Sequence, residues 1–259
     1  MSLVPVSREL NTKPKAEYNA QDYHKPSDQR NFNPRAYLQN FYSDVEYEPA
    51  MKIVLMFMPN IAYRLPDGLK TMLDVGSGPT IHMSMIIRNK VQQIYLSDYS
   101  EDNVESLRDW LSGTSMFDWS TVINYLASLE CDYEQPTTME KDTRQKVVAV
   151  SRCDIFSTDV IIADNHSNSS MSTIPALFDV VTCVYCIEAA CTTEDVYCKG
   201  LRNVCSKVRP GGYLILGAVL EMPWYQYNYE RYNSYYLTED KLFEQLAANG
   251  IDMESSKSV

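Results

Sequence analysis

The sequence predicts an α/β domain built on a doubly wound parallel sheet. Five short apolar runs alternate with helical segments, a glycine-containing turn follows the first run, and an acidic residue ends the second. Continuous apolar runs are typical of strands buried on both faces of a parallel sheet. Strands that alternate with helices favour the same arrangement. A chain of 259 residues is long enough for one such domain with a large core.

The elements follow from local sequence signals. The predicted strands are 71–76, 92–98, 146–154, 177–185 and 211–220. The apolar residues 81–87 are expected to begin a helix, and Ser100 is expected to cap another that has an acidic first turn. Residues 238–249 should form a helix that buries its apolar face, namely Leu242, Phe243 and Leu246.

The N-terminal region divides into two parts. Residues 1–31 are polar and uneven, and we expect a flexible arm, followed by one domain over 32–259. Pro34 suits a first helical turn, and Tyr37 and Phe41 share a face because they are four residues apart. Two polar stretches are expected to be turns or loops: 133–143 and 157–173.

The net charge and the composition argue against two classes of binding partner. A net charge of −11 and a pI of about 4.8 disfavour nucleic acid and anionic membranes, which need basic patches. No apolar stretch reaches the roughly 20 residues of a membrane span. Seven cysteines without a recognisable signal peptide predict a cytoplasmic protein. We expect a monomer.

The stretch LDVGSGPTIH, residues 73–82, predicts a nucleotide-like ligand at the carboxyl end of the first strand. Asp98 follows Gly76 by 22 residues, which is the place of a carboxylate that binds ribose hydroxyls. Ile81 stands where a dinucleotide site has its third glycine, so S-adenosylmethionine is favoured over a dinucleotide. Asp154, which ends the third strand, is a candidate for the adenine amino group.

Several longer motifs carry a family resemblance: FNPRAYLQNFY, LDVGSGPT, LSDYSEDN, FDWS and CIEAAC. In this order they resemble the nicotinamide/phenylethanolamine/indolethylamine N-methyltransferase family. The resemblance implies a Rossmann-like class I methyltransferase sheet with an N-terminal helical cover. It also implies two final strands beyond the last predicted helix, and residues 251–259 are too short to supply them, so the C-terminal strands are expected to be truncated.

The resemblance also assigns roles to residues. The cofactor would contact Tyr37, Tyr42, Gly76, Gly78, Thr80, His82, Asp98, Tyr99, Asn103, Asp154, Ile155 and Val184. His82 stands where the family has a tyrosine. The substrate would contact Tyr185, Glu188, Glu221 and Tyr225, the last within a tyrosine-rich lid over about 221–237. The lid segment could instead be an exposed edge hairpin.

The implied reaction is methyl transfer from S-adenosylmethionine to the nitrogen of a small aromatic amine or related N-heterocycle. An alkylamine must lose a proton before attack, and Glu188 is the candidate group for anchoring it and assisting that loss. The competing interpretation is that Glu188 only caps a helix. The nicotinamide enzyme has an aspartate at the place of Gly217, so a phenylethanolamine-like substrate is favoured.

Other interpretations stay open at this point. The chain could be a catalytically impaired relative that binds cofactor or a protein partner, and a dinucleotide oxidoreductase is disfavoured by Ile81. The cysteines at 183, 186, 191, 198 and 205 lack the paired spacing of zinc sites. We expect them to be small core residues, with no metal in the site.

Overall fold

The computed structural model describes residues 32–44, 49–130, 136–162, 174–227 and 230–256. The predicted arm over 1–31 lies outside the described residues. The helices are α1 (Pro34–Tyr42), α2 (Pro49–Tyr63), α3 (His82–Ile87), α4 (Glu101–Ser112), α5 (Ser120–Glu130), α6 (Pro136–Lys146), α7 (Ile187–Ala190), α8 (Glu194–Cys205) and α9 (Glu239–Ala248). The strands are β1 (Leu69–Val75), β2 (Val91–Asp98), β3 (Val147–Arg152), β4 (Phe178–Val184), β5 (Val208–Gly217), β6 (Trp224–Tyr227) and β7 (Glu230–Asn233).

The first five strands form one parallel sheet in the order β3-β2-β1-β4-β5. All five coincide with the predicted apolar runs, and the predicted fold class is confirmed. β2 lies on one side of β1 and β4 lies on the other, so the direction of strand order reverses between β1 and β4. This reversal opens a crevice at the carboxyl ends of the two central strands, where open α/β sheets bind ligands. No helix in the described ranges is long and apolar enough to cross a lipid bilayer.

Helices cover both faces of the sheet and create two buried clusters. The first cluster joins α2, α3 and α5 to one face through residues such as Leu55, Ile87 and Leu126. The second packs α8 on the other face and includes Tyr197 and Leu201. Residues of β4 contribute to both clusters because successive strand side chains point to opposite faces.

Two ion pairs of equal length differ in burial. Arg88 follows α3 and forms a bidentate pair with Glu130 at the end of α5, with an Nη2–Oε2 distance of 2.6 Å and with the arginine buried. Lys90 pairs with Asp67 at the same 2.6 Å, but the aspartate is exposed. The buried pair fixes α3 against α5, while solvent screens the exposed pair.

The structure corrects the predicted loop over 133–143, because α6 begins at Pro136. Tertiary contacts hold this polar helix. Glu140 accepts a hydrogen bond from Trp110 Nε1 at 2.9 Å, and Arg144 lies over the same indole at 4.9 Å from the ring centroid. Met139 of the same helix is buried in the core. The other predicted loop, 157–173, lies within the described residues only up to position 162.

Two helix details also differ from the prediction. Ser100 occupies the N-cap position of α4, but its side chain makes no capping hydrogen bond. Asp98 instead accepts the Ser100 backbone N–H at 2.9 Å. On α9, Leu246 is buried as expected, but Phe243 is exposed. Thr238 caps that helix through its hydroxyl, which accepts the Lys241 N–H at 3.3 Å.

The tyrosine-rich segment forms an antiparallel hairpin, β6–β7, separate from the main sheet. Within it, the Tyr225 and Tyr232 rings stack across the two strands with centroids 5.3 Å apart. Residues 228–229 lie outside the described residues. Whether the hairpin acts as a substrate lid stays a prediction.

Candidate functional site

The turn between β1 and α3, residues 76–80, forms a glycine loop at the carboxyl edge of the sheet. Gly76 and Gly78 have φ values of +67° and +59°, a region that L side chains rarely adopt. A Cβ on Gly78 would meet nothing within 4 Å, whereas one on Gly76 would lie 2.2 Å from Cys186 Sγ. Gly78 therefore leaves open space for a ligand, and Gly76 lets the loop pack on Cys186.

Asp98 organises the neighbouring strand end. Its Oδ2 accepts the Gly78 N–H at 2.8 Å, and its Oδ1 accepts the Ser100 N–H and Asn103 Nδ2, each at 2.9 Å. Burial raises the pKa of Asp98 above its ordinary value although these bonds oppose the shift. Asn103 Oδ1 is buried and has no hydrogen-bond partner within the described part of the chain. The pair presents acceptors that suit ribose hydroxyls.

Helix α1 places an aromatic cover, Tyr37 and Tyr42, above the glycine loop. Tyr42 stacks on His82 with ring centroids 5.4 Å apart, shares a hydrogen bond with Thr80, and lies 6.2 Å from the Tyr37 ring. Burial lowers the pKa of His82 to about 4 and raises that of Tyr42, so both are neutral at pH 7. Neutral electron-rich rings suit a sulfonium.

Asp154 and Ile155 follow β3 and lie beside the end of β2. Asp154 Oδ1 accepts the Phe156 N–H at 2.8 Å, while Ile155 is buried. Tyr99 is 58% exposed and follows Asp98 directly. The strand register therefore brings Asp98, Tyr99 and Asp154 to one edge, in the order that the sequence predicted.

The substrate candidates Tyr185 and Glu188 lie just beyond β4. Tyr185 has a φ of +53°, which is unusual for an aromatic residue, and donates its N–H to Gly217 O at 2.8 Å. Glu188 is 3% exposed, and its Oε1 accepts the Val219 N–H at 3.0 Å. Burial raises the pKa of Glu188 to about 7, and burial with the nearby Glu188 charge raises that of Tyr185.

The remaining substrate candidates belong to the hairpin region. Glu221 is exposed, has a φ of +56°, and donates its N–H to Leu237 O at 2.8 Å. Tyr225 is half-buried within the hairpin stack. The hairpin is anchored on Glu188, whose carbonyl oxygen accepts the Tyr235 N–H at 2.9 Å and the Ser234 hydroxyl at 3.2 Å.

Val184 and Gly217 are packed together at the ends of β4 and β5. A Cβ on Gly217 would lie 2.8 Å from Val184 Cγ1, so a side chain at position 217 requires Val184 to move. Val184 thus occupies the space in which an aspartate at position 217 would begin.

Asp74 is a buried carboxylate that the sequence reasoning missed. Its Oδ1 accepts the Thr182 hydroxyl at 2.6 Å, and its Oδ2 has no partner among the described residues. Burial raises the pKa of Asp74 to about 7, and the charge of Asp98 adds to the shift. An acidic residue inside the apolar run that precedes a glycine turn is the signal that could have identified it.

The cysteines are largely core residues, as expected. Cys183, Cys191 and Cys205 are buried, and Cys186 and Cys198 are half-buried. Within the described ranges, no three His, Cys, Asp or Glu side chains are grouped as metal ligands.

A family model described as the NNMT/PNMT/TEMT family matches residues 21–259. The chain belongs to this family. The family consists of S-adenosylmethionine-dependent N-methyltransferases, so the recognised family and the predicted cofactor are both confirmed.

Individual relatives carry different substrate names. Nicotinamide N-methyltransferase of Caenorhabditis elegans is 35% identical over 92% of this chain and 86% of its own length. The human protein of the same name is 30% identical over 78% of this chain and 75% of its own length. Phenylethanolamine N-methyltransferase of Mus musculus is 25% identical over 88% and 77%. A solved DhpI–SAH complex, 12% identical with a TM-score of 0.51, covers 87% of each chain and supports the fold alone.

Proposed function

We propose that this family member transfers the methyl group of S-adenosylmethionine to the nitrogen of a small aromatic amine. The observation that carries the proposal is Glu188, a buried carboxyl with a pKa near 7 that lies beside Tyr185 at the carboxyl end of the sheet. Such a group can anchor an ammonium when ionised and accept a proton near neutral pH.

The residues of the glycine loop fit the proposed cofactor. The open space at Gly78 leaves room for it, and Asp98 with Asn103 offers acceptors for the ribose hydroxyls. The Oδ2 of Asp74, which has no hydrogen-bond partner among the described residues, is suited to the cationic amino group of the cofactor's methionine part. When bound, the sulfonium supplies an activated methyl group.

The protein's own part in this reaction is alignment, dehydration and proton removal. Tyr42 lies close enough to both Asp74 and Tyr185 for their charges to raise its pKa, so α1 spans the cofactor side and the substrate side. Tyr185 presents an aromatic surface to the substrate, and Glu188 holds and then deprotonates the amine. Exclusion of water and alignment of the reacting nitrogen supply the rate enhancement.

Methylation of nicotinamide is the second candidate. The relatives that bear this name share 35% and 30% identity with the chain, against 25% for a phenylethanolamine enzyme. Against it, Val184 fills the space at Gly217 that an aspartate would need. A pyridine nitrogen carries no proton at pH 7 and has no use for a base at Glu188.

The test is a turnover assay with S-adenosylmethionine and three acceptors: phenylethanolamine, tryptamine and nicotinamide. We expect methylated amine by mass spectrometry, and Glu188→Gln should lower that rate at least about tenfold. Glu244→Gln, on the exposed face of α9, is the control. Equal amine rates for Glu188→Gln and the wild type would refute the role of Glu188. A folded chain that methylates only nicotinamide, or none of the three, would refute the proposed substrate class.

A further inference from the structure

Arg152 ends β3 beside the carboxylate proposed for the ribose, because Asp98 and Arg152 are paired in the parallel register. The arginine does not bond to Asp98. It reaches the next residue, Tyr99, whose carbonyl oxygen accepts Nε at 3.3 Å and Nη2 at 3.2 Å. The guanidinium also lies over the Tyr99 ring, 5.6 Å from its centroid. One side chain therefore holds both the backbone and the ring of Tyr99.

The opposite side of Tyr99 is fixed by Asp98. The carboxylate of Asp98 accepts the backbone N–H groups of Tyr99 and Ser100, which folds the segment around it. Arg152 contacts the same segment through the carbonyl oxygen and the ring of Tyr99. Without Arg152, the 58% exposed Tyr99 ring would keep its own rotamer freedom, and a ligand would have to order it.

Arg152 is itself oriented by an acidic neighbour. Glu101, the first residue of α4, lies 3.6 Å from Arg152 Nε through Oε2 and 3.1 Å from Arg108 Nη1 through Oε1. The two arginines share one carboxylate, and Arg152 adds to it the contacts with the carbonyl and ring of Tyr99. This difference provides a matched pair of variants.

We propose that Arg152 is a positioning residue for the adenosine part of the cofactor. It preorganises Tyr99 beside Asp98, so that binding pays less to order the ring. The inference rests on the proposed function, because it places adenosine at the end of β2. A planar guanidinium is required, since an ammonium cannot stack on the ring and bond the carbonyl through two nitrogens.

The test measures the Kd of S-adenosylhomocysteine by calorimetry for the wild type, Arg152→Gln, Arg152→Lys and Arg108→Gln. We expect Arg152→Gln to weaken binding about fivefold, as for an exposed cation–π contact with its hydrogen bonds. Arg152→Lys should recover little of this loss, and Arg108→Gln should change Kd less than about twofold. In turnover, the KM for S-adenosylmethionine should rise while kcat is retained.

A second background separates positioning from a general structural effect. In Tyr99→Ala, the substitution Arg152→Gln should weaken binding less than in the wild-type background, because the ring that Arg152 positions is absent and only the backbone carbonyl contact remains. If the wild type does not bind S-adenosylhomocysteine, the proposed function fails. If the wild type binds S-adenosylhomocysteine and Arg152→Gln binds it equally well, the inference about Arg152 is overturned. It is also overturned if Arg152→Gln raises Kd by the same factor in the wild-type and Tyr99→Ala backgrounds. Thermal unfolding of each variant checks that it is folded. If Arg152→Gln does not fold, Arg152→Lys takes its place in the comparison.

Discussion

Gly76 and Gly78 share a left-handed backbone but differ in their surroundings, so alanine at each position should have different consequences. A Cβ on Gly76 would lie 2.2 Å from Cys186 Sγ and 2.8 Å from Cys186 Cβ. On Gly78 it would meet nothing within 4 Å. Gly76→Ala should therefore reduce stability, and Gly78→Ala should mainly reduce cofactor binding.

The magnitudes follow from three terms. A left-handed L-residue costs about 1–2 kcal/mol, which applies to both variants. Overpacking adds about 1–3 kcal/mol for Gly76→Ala alone. The smaller entropy of the unfolded alanine chain offsets about 0.4–1 kcal/mol in each. We expect a net loss of about 2–4 kcal/mol for Gly76→Ala and about 1 kcal/mol for Gly78→Ala.

Urea unfolding without cofactor, followed by tryptophan fluorescence, measures both losses. Each kcal/mol corresponds to roughly 2–4 °C in Tm for a chain of this size. Cys186→Gly removes both atoms that the new Cβ would strike, so Gly76→Ala combined with Cys186→Gly should recover the overpacking part. Gly78→Ala should bind S-adenosylmethionine at least about tenfold more weakly, since its Cβ occupies the open space.

Equal destabilisation by the two alanine variants would refute the reasoning. So would a combined variant with Cys186→Gly that recovers no stability, because the contact with Cys186 would then not be the cause. Unchanged cofactor affinity in Gly78→Ala would show that the space above this glycine is not the ligand site.

Three further predictions concern buried ionisable groups. Glu130→Gln removes the carboxylate that faces the buried Arg88 and should cost about 3–5 kcal/mol by urea unfolding. Lys90→Ala should cost at most about 1 kcal/mol, although both ion pairs measure 2.6 Å; similar losses would contradict this. The folded pKa of Glu188, about 7, lies above its ordinary value of 4.5, so wild-type stability should fall as pH rises from about 4.5 to 7, and Glu188→Gln should remove that component; an unchanged pH profile would exclude it. The folded pKa of His82, about 4, lies below its ordinary 6.5, so stability should be lost as pH falls from 6.5 to 4, and His82→Phe should lessen this loss in acid unfolding curves.

The sheet was predictable because its strands are buried on both faces and leave continuous apolar runs. Val180 and Val181 of β4 belong to opposite core clusters, and the sequence shows an unbroken apolar run there. Helix α6 was not predictable in the same way. Its sequence is polar, and it is held by tertiary contacts such as Trp110 with Glu140, which no local pattern reports.

The place of a candidate residue in the fold was predictable where it adjoins a recognisable strand. Gly78 follows the first strand and Asp98 ends the second, so the sequence could place both at one edge of the sheet. The contact between Gly76 and Cys186 was not, since it joins residues from different strand ends. The sequence likewise could not indicate that Arg152 would reach Tyr99, because that depends on the β2–β3 register.

The aromatic cover also has a consequence for the rate of turnover. Tyr42 is held over the site through ring contacts with His82 and Trp119, at centroid distances of 5.4 and 5.6 Å. Each such contact is worth about 0.5–1.5 kcal/mol beyond its buried area, and exposing Leu38 and Tyr42 adds to the cost of lifting α1. We expect a product bound beneath Tyr42 to leave when α1 moves away, a motion of microseconds to milliseconds. Release would then set kcat, which would fall as solvent viscosity rises, and the first turnover would outpace those that follow.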